Sequence, residues 1–380
     1  MDNLKLSAAA SIFATLPVAV MTALFIFKTA PGGGAAALAG SLAAFGLLNF
    51  CFYRMLRTGK TDAYRAPVFI FYALMFAVSF ISNLIEARGS MALHESTILE
   101  GGTPFCHIVI PFTLVPFALT RTIIFPGTIT GVHAAIASMF VLWIGASLAI
   151  GRGWCGWICF FGGWDDMFSR LRKTARVALA DPRWRDISAA VLVTGVLLSA
   201  ASLSPFYCEW LCPYKCVTEF VAVTSAKILF QTLIFISLFI ALVIALPVLT
   251  KRRTQCGFFC PFGALQSLTN KINPFEIKAD ASRCSDCGAC ARACPVIAIT
   301  AQSIARGGTL LNCIKCGKCV DVCPRGALGF DIKLTAGGPS PLKRLLFLYP
   351  AFIFLSAMAS GTIADGLRRL LHFMATGSFL

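Results

Sequence analysis

Charge is what this chain has least of. Only 13% of its 380 residues are charged, against about 25% in an ordinary soluble domain, so most of the chain does not sit in water. Acidic residues are scarcer still, 17 against 33 Lys and Arg, for a net charge of +16. The first apolar run, 7–27, lacks the small-residue cleavage pattern of a removable signal peptide and is too long for one. The glycine cluster at Pro31–Gly34 reads as a turn and matches no phosphate-cradling motif.

What is present in quantity is apolar. Runs long enough to cross a bilayer, about 20 residues, occur near 7–27, 35–52, 67–85, 132–150, 187–204, 228–250 and 345–362. With the N-terminus inside and seven alternating spans, the inner segments 1–6, 53–66, 151–186 and 251–344 carry 26 of the 33 Lys and Arg. Positive-inside bias accounts for that asymmetry, so no nucleic-acid partner is implied. The segment after residue 251 is then cytoplasmic, where thiols stay reduced. Pro104–Leu119, interrupted by Pro104, Pro111 and Pro116, is too short to span. It reads as a re-entrant or surface-lying element on the outer side, packed on the bundle.

The 17 cysteines fall into sets. Cys284-x2-Cys287-x2-Cys290-x3-Cys294-Pro295 is followed by Cys313-x2-Cys316-x2-Cys319-x3-Cys323-Pro324. This is the bacterial two-[4Fe–4S] run, in which the fourth cysteine serves the other cluster. It assigns Cys284, Cys287, Cys290 and Cys323 to one cubane, and Cys313, Cys316, Cys319 and Cys294 to the second. A pair of zinc sites fits poorly, since zinc needs neither the third cysteine nor the proline.

A second pattern repeats at an offset of 101 residues. Arg152-x2-Cys155-x3-Cys159-x2-Gly162 aligns with Arg253-x2-Cys256-x3-Cys260-x2-Gly263. Cysteines four apart share a helical face, so the two pairs could aim four sulfurs at one point on the inner membrane surface. On the outer side Cys208, Cys212 and Cys216, with Cys106, make another four. A cluster, zinc, copper or exchangeable thiols are open for the inner set; a metal or two disulfides are open for the outer one. Cys51 is left as a small buried hydrophobe. The Trp and Phe residues around Cys155 and Cys256 read as interfacial anchors, and Asp165 and Asp166 as helix N-terminal caps.

With these motifs in view, the chain resembles the membrane-bound polyferredoxins. These are the NapH and MauN type, the C-terminal part of NosR, and the CcoG/RdxA/FixG group. The resemblance covers roughly residues 130–330; Phe160 stands where the family usually has proline, and the N-terminal helices and the Cys106–His107 loop lie outside it. It implies an electron-transfer component of the bacterial inner membrane, working between cytoplasmic or quinone-pool donors and an extracytoplasmic redox partner. A copper reductase or assembly factor of the CcoG type and a membrane redox sensor are the alternatives. For quinol oxidation a proton acceptor is needed, and His94, His107, His133, Glu86, Glu95 and Glu100 are candidates beside a blander role in loop polarity.

The expected architecture is a membrane all-α helical bundle of about seven transmembrane helices with a small α+β two-[4Fe–4S] ferredoxin insert. Its expected parts are 1–130, N-terminal helices and the outer loop; 131–278, the transmembrane core; 279–332, the ferredoxin domain; and 333–380, a last helix and tail.

Overall fold

The structure is a computed structural model that describes residues 5–28, 34–89, 107–121, 136–179, 181, 183–218 and 225–377. It is 71% helical, with five candidate membrane spans among the described residues and a small two-stranded sheet. Over the described residues, each of the seven predicted apolar runs falls within a helix, apart from a few end residues. These helices are α1 (Ala8–Lys28), α2 (Ala35–Thr58), α3 (Asp62–Gly89), α5 (Ile136–Ile150), α8 (Trp184–Ser202), α9 (Ala226–Thr250) and α11 (Pro341–Thr376). All but α3 and α5 are long and apolar enough, over the described residues, to cross a membrane. The described part of the Pro104–Leu119 element, from His107 on, is a short turn leading into α4 (Ile110–Thr120), which packs on α8. Apolar residues surround these helices on every side, the pattern of a buried or lipid-facing helix, and Cys51 lies in their shared core as expected.

The two segments that carry the repeated Cys-x3-Cys pairs reverse direction. After α5 the chain turns at Gly151 (φ 58°), and after α9 it turns at Lys251 (φ 56°). Both then fold back into the bundle as short helices: α6 (Gly153–Trp157) and α7 (Phe160–Phe168) in the first copy, and a wide turn plus α10 (Pro261–Thr269) in the second. The depth of this return is read from α9. Thr254 donates its hydroxyl to the Leu242 carbonyl at 2.6 Å. Leu242 is eight residues inside the end of α9, about 12 Å at 1.5 Å per residue. Residues 239–245 of α9 are wound as a π-helix, and such winding releases carbonyls from the regular ladder.

The ferredoxin lobe closes with β1 (Phe275–Ala279) antiparallel to β2 (Leu328–Ile332), Ile277 opposite Phe330. The first strand thus begins four residues before the expected start at 279. The lobe sits directly on the bundle. Phe330 stacks on Phe347 of α11 with centroids 4.7 Å apart. Asp321 accepts from the Thr61 and Ala63 amides at 2.8 and 3.0 Å, so a lobe carboxylate caps the N-terminus of α3. Gly156 marks the closest approach, since a Cβ there would lie 2.5 Å from the Ile314 carbonyl oxygen. A Gly156→Ala variant is expected to lose about 1–3 kcal/mol, the usual cost of overpacking. Thermal unfolding in detergent reads this directly, and an unchanged midpoint would mean that the lobe does not seat there.

Candidate iron-sulfur sites

The lobe is built twice over at an offset of 29 residues. Asp286 and Lys315 carry matching positive φ values of 50° and 49°, and Gly288 and Gly317 follow at 66° and 81°. Each pair opens a single helical turn, Ala289–Ala293 and Lys318–Val322. Beyond each cysteine–proline step the backbone returns an amide to sulfur: Ala298 N–H to Cys294 Sγ at 3.1 Å, and Ala327 N–H to Cys323 Sγ at 3.2 Å. Cys290 feels the charge of Cys323 and Cys284, and Cys319 that of Cys313, Cys316, Cys294 and Cys290, so the two sets of thiols adjoin. Cys294, Cys313, Cys316 and Cys319 also line one small cavity with Val296, Ile299 and Ile314. At the other end Cys287 is exposed and Cys284 half-exposed, so the lobe's outer face is open to a partner.

The repeated Cys-x3-Cys pairs come together, though not on the faces of regular helices. Cys159 and Cys260 are each bonded back five residues, N–H to Trp154 O at 3.0 Å and N–H to Gln255 O at 2.8 Å. Each then turns extended (φ −71°, ψ 110°; φ −76°, ψ 117°) and caps the next helix. Proline at 261, which has no N–H to donate to a preceding carbonyl, enforces that break in the second copy. Cys155, Cys159, Cys256 and Cys260 are all buried and electrostatically coupled to one another. Burial pushes all four thiols up, Cys260 to about 12. Left to themselves they are neutral; a bound metal would deprotonate them outright.

Several expectations change here. The quartet is buried where the helices meet the lobe, on short helices that fold back and not on surface-lying ones. Trp154 and Trp157 are not interfacial anchors: both are buried, and Trp157 donates from Nε1 to Lys315 O at 3.0 Å, tying the quartet to the loop between Cys313 and Cys316. Asp165 and Asp166 sit near the end of α7, not its start. Asp165 accepts from the Cys256 amide at 2.9 Å, and burial pushes its carboxyl up to about 7. Asp166 instead pairs with Arg65 at 2.8 Å.

Of the set expected at the opposite membrane face, the Cys208–Cys212 turn lies close by. Tyr207, beside Cys208, accepts at its hydroxyl from Gln255 Nε2 at 3.1 Å, one residue before Cys256. Gln231 of α9 donates to the Glu209 carbonyl, and Lys215 lies over Phe235, so residues 209–215 run beside the first half of α9. The Cys208 turn and the quartet are therefore joined through Tyr207 and Gln255. The physical reason is that both polar turns fold inward, where their backbone groups find protein partners instead of lipid.

His107 is the clearest case. Expected on an outer loop, it is buried against Trp154, Phe161 and Phe262, with Nε2 3.2 Å from Cys159 Sγ. Held there, it is a sulfur neighbour and not an exposed proton acceptor. Cys106, His94, His133, Glu95 and Glu100 lie outside the described residues, and Glu86 falls in α3.

The 4Fe-4S dicluster domain family matches residues 276–324. The 4Fe-4S binding domain family matches three stretches, 132–177, 186–230 and 232–278. Among curated proteins, YccM of Escherichia coli (strain K12), an electron transport protein by name, is 29% identical over 183 residues, 44% of this chain and 48% of YccM. The methylamine utilization ferredoxin-type protein MauN of Methylobacillus flagellatus is 28% identical over 230 residues, 60% of this chain and 77% of MauN. The regulatory protein NosR of Pseudomonas aeruginosa is 28% identical over 181 residues, 42% of this chain and 23% of NosR. The chain is similar to the membrane-associated polyferredoxins of the NapH, MauN and NosR type. It spans about half the length of YccM. No solved structure matches it.

Its matched segments are 4Fe-4S domains, the kind that holds [4Fe–4S] clusters. The middle match, 186–230, contains Cys208-x3-Cys212-Pro213. The outer set is thus a third copy of the paired pattern, which its different flanking residues hide in the sequence. Arg65 was also not singled out beforehand. No motif marks it; it becomes visible only through its partners Asp62, Asp166 and Gly156.

Proposed function

We propose that this chain carries electrons across the bacterial cytoplasmic membrane, with its ferredoxin lobe on the cytoplasmic side and its donors among soluble reductants or the quinone pool. An extracytoplasmic redox protein would be the other partner. The basic loops favour that orientation. In this reading Cys284, Cys287, Cys290 and Cys323 hold one cluster of the lobe and Cys313, Cys316, Cys319 and Cys294 the second. Cys155, Cys159, Cys256 and Cys260 hold a third within the bundle; Cys106, Cys208, Cys212 and Cys216 continue the series outward. When bound, such clusters take up and release one electron at a time.

The chain's own residues supply the rest. Ala298 and Ala327 donate amides to sulfur, Trp157 and Gly156 press the lobe onto the quartet, and the aromatic rings around His107 exclude water. The observation that carries the reading is the buried quartet lying under the Ile314–Cys316 loop of the lobe, between it and the Cys208 turn. A lone ferredoxin at one surface could not serve the far side of about 30 Å of hydrocarbon.

The test is a vesicle assay. Purified chain is placed in lipid vesicles that enclose an impermeant oxidant, and an impermeant reductant is added outside. The trapped oxidant is expected to be consumed at a rate well above that of protein-free vesicles. Equal rates would overturn transmembrane transfer.

A further inference from the structure

Arg152 and Arg253 occupy matching positions in the two Cys-x3-Cys copies, and each reaches across to the other. Arg253 Nη2 donates to the Cys155 carbonyl at 2.8 Å, and Arg152 Nη2 to the Cys256 carbonyl at 3.0 Å. The repeated glycines make room for them: a Cβ at Gly162 would lie 2.3 Å from Arg253 Nη2, and one at Gly263 would lie 3.2 Å from Arg152 Nη2. The pattern Arg-x2-Cys-x3-Cys-x2-Gly is therefore one device made of two interlocked halves.

Both guanidinium groups are out of water, at 1% and 0% exposure. Among the described residues, no carboxylate lies within ion-pair distance of either. Arg152 has a serine hydroxyl (Ser267 Oγ, 2.6 Å) and the Cys256 carbonyl. Arg152 Nε and Arg253 Nε and Nη1 are buried without a hydrogen-bond partner among the described residues. A buried cation with unspent donors needs an anion beside it. The groups to which both arginines are coupled are the cysteines of the quartet, with Asp165 and Asp166 also facing Arg253. Two disulfides would be neutral, leaving Arg253 with only Asp165 and Asp166 and taking from Arg152 the anionic groups to which it is coupled. Four thiolates around a [4Fe–4S] core with two positive charges leave two net negative charges, which two guanidinium groups offset.

We propose that Arg152 and Arg253 are the built-in counter-charges of an anionic iron–sulfur centre held by Cys155, Cys159, Cys256 and Cys260, and that they hold its reduction potential up. Reduction adds one electron and so one negative charge to the centre, a change that two fixed cations beside it favour. The proposal rests on the quartet binding a cluster, the reading given above.

The experiment is an EPR-monitored redox titration of the purified full chain, with iron and sulfide counted in the same samples, for Arg152→Gln, Arg152→Lys and Cys256→Ser. In the glutamine variant the reduced-to-oxidised ratio of the bundle centre at fixed ambient potential is expected to fall about tenfold, ~59 mV for one electron. The lysine variant, which keeps the charge, is expected to stay near the parent, and the lobe signals are expected not to move. Should the glutamine variant fail to assemble the centre, loss of its iron in Gln but not in Lys supports the same role. An unmoved potential with iron intact, or equal behaviour of Gln and Lys, overturns the role of the arginines alone. Unchanged iron in Cys256→Ser overturns the centre itself, and the proposal with it.

Discussion

Replacing Cys256 with serine is expected to lower bound iron by about four atoms per chain, with a matching loss of acid-labile sulfide, while the lobe keeps its about eight. The size of the effect follows from all-or-none assembly. Cys256 is buried, its amide is held by Asp165, and its carbonyl is held by Arg152 from the other copy. Serine in that place offers a hard oxygen to a site whose three remaining donors are soft. Cys155→Ser should behave alike, because the repeat gives it the same surroundings through Arg253. Colorimetric iron and sulfide on purified protein decide this, with EPR of the reduced samples identifying which signal is lost. Equal stoichiometry in parent and variants would reduce the quartet to buried thiols.

Replacing Arg65 with methionine is expected to destabilise the bundle by about 3–5 kcal/mol, the cost of leaving a buried charge unpaired. Arg65 is fully buried and joins three elements: Asp62 at 2.6 Å on its own helix, Asp166 at 2.8 Å on α7, and the Gly156 carbonyl at 2.6 Å in α6. Arg170 shares both carboxylates. The loss falls mainly on the orphaned aspartates, so Arg65→Met with Asp166→Asn should recover part of it. The network also sets a pH dependence. Burial alone would raise Asp166, but Arg65, then Arg170 and Arg253, outweigh it and hold its carboxyl well below the usual carboxylate range. A group whose folded value is depressed stabilises fully above its unfolded value, about 3.9, and loses that contribution as the pH falls toward the folded value. Thermal unfolding in detergent at pH 7 reads the first effect and its repetition at about pH 2.5, below the unfolded value, reads the second; a parent-like midpoint for Arg65→Met would show that lipid-facing packing alone carries the bundle.

The lobe was the most legible part of the molecule. Its chemistry is local: two runs of cysteines at set spacing, with proline after the fourth, dictate the loops at Asp286–Gly288 and Lys315–Gly317 whatever surrounds them. The apolar runs were legible for a related reason, since length and apolarity alone select helices suited to lipid. Depth was not legible. Apolar composition is the same for a helix that crosses and for one that turns back, so His107, Trp154 and Trp157 read as border residues although they are core. The aspartates misled in the same way, because a helix that ends at Phe168 cannot be told by local pattern from one that begins near Trp164.

The amino-acid order by itself determined that this is an apolar helical protein with a two-cluster ferredoxin lobe, and that Arg, two Cys and Gly recur together. Thiol spacing and hydrophobicity act over a few residues, and so they can be read without a fold. Only the tertiary structure decided that the two copies interlock, that each arginine serves the other copy's cysteine, and that the Cys208 turn lies next to them. Those relations depend on where two reversals after Ile150 and Thr250 return the chain, and long-range packing sets that.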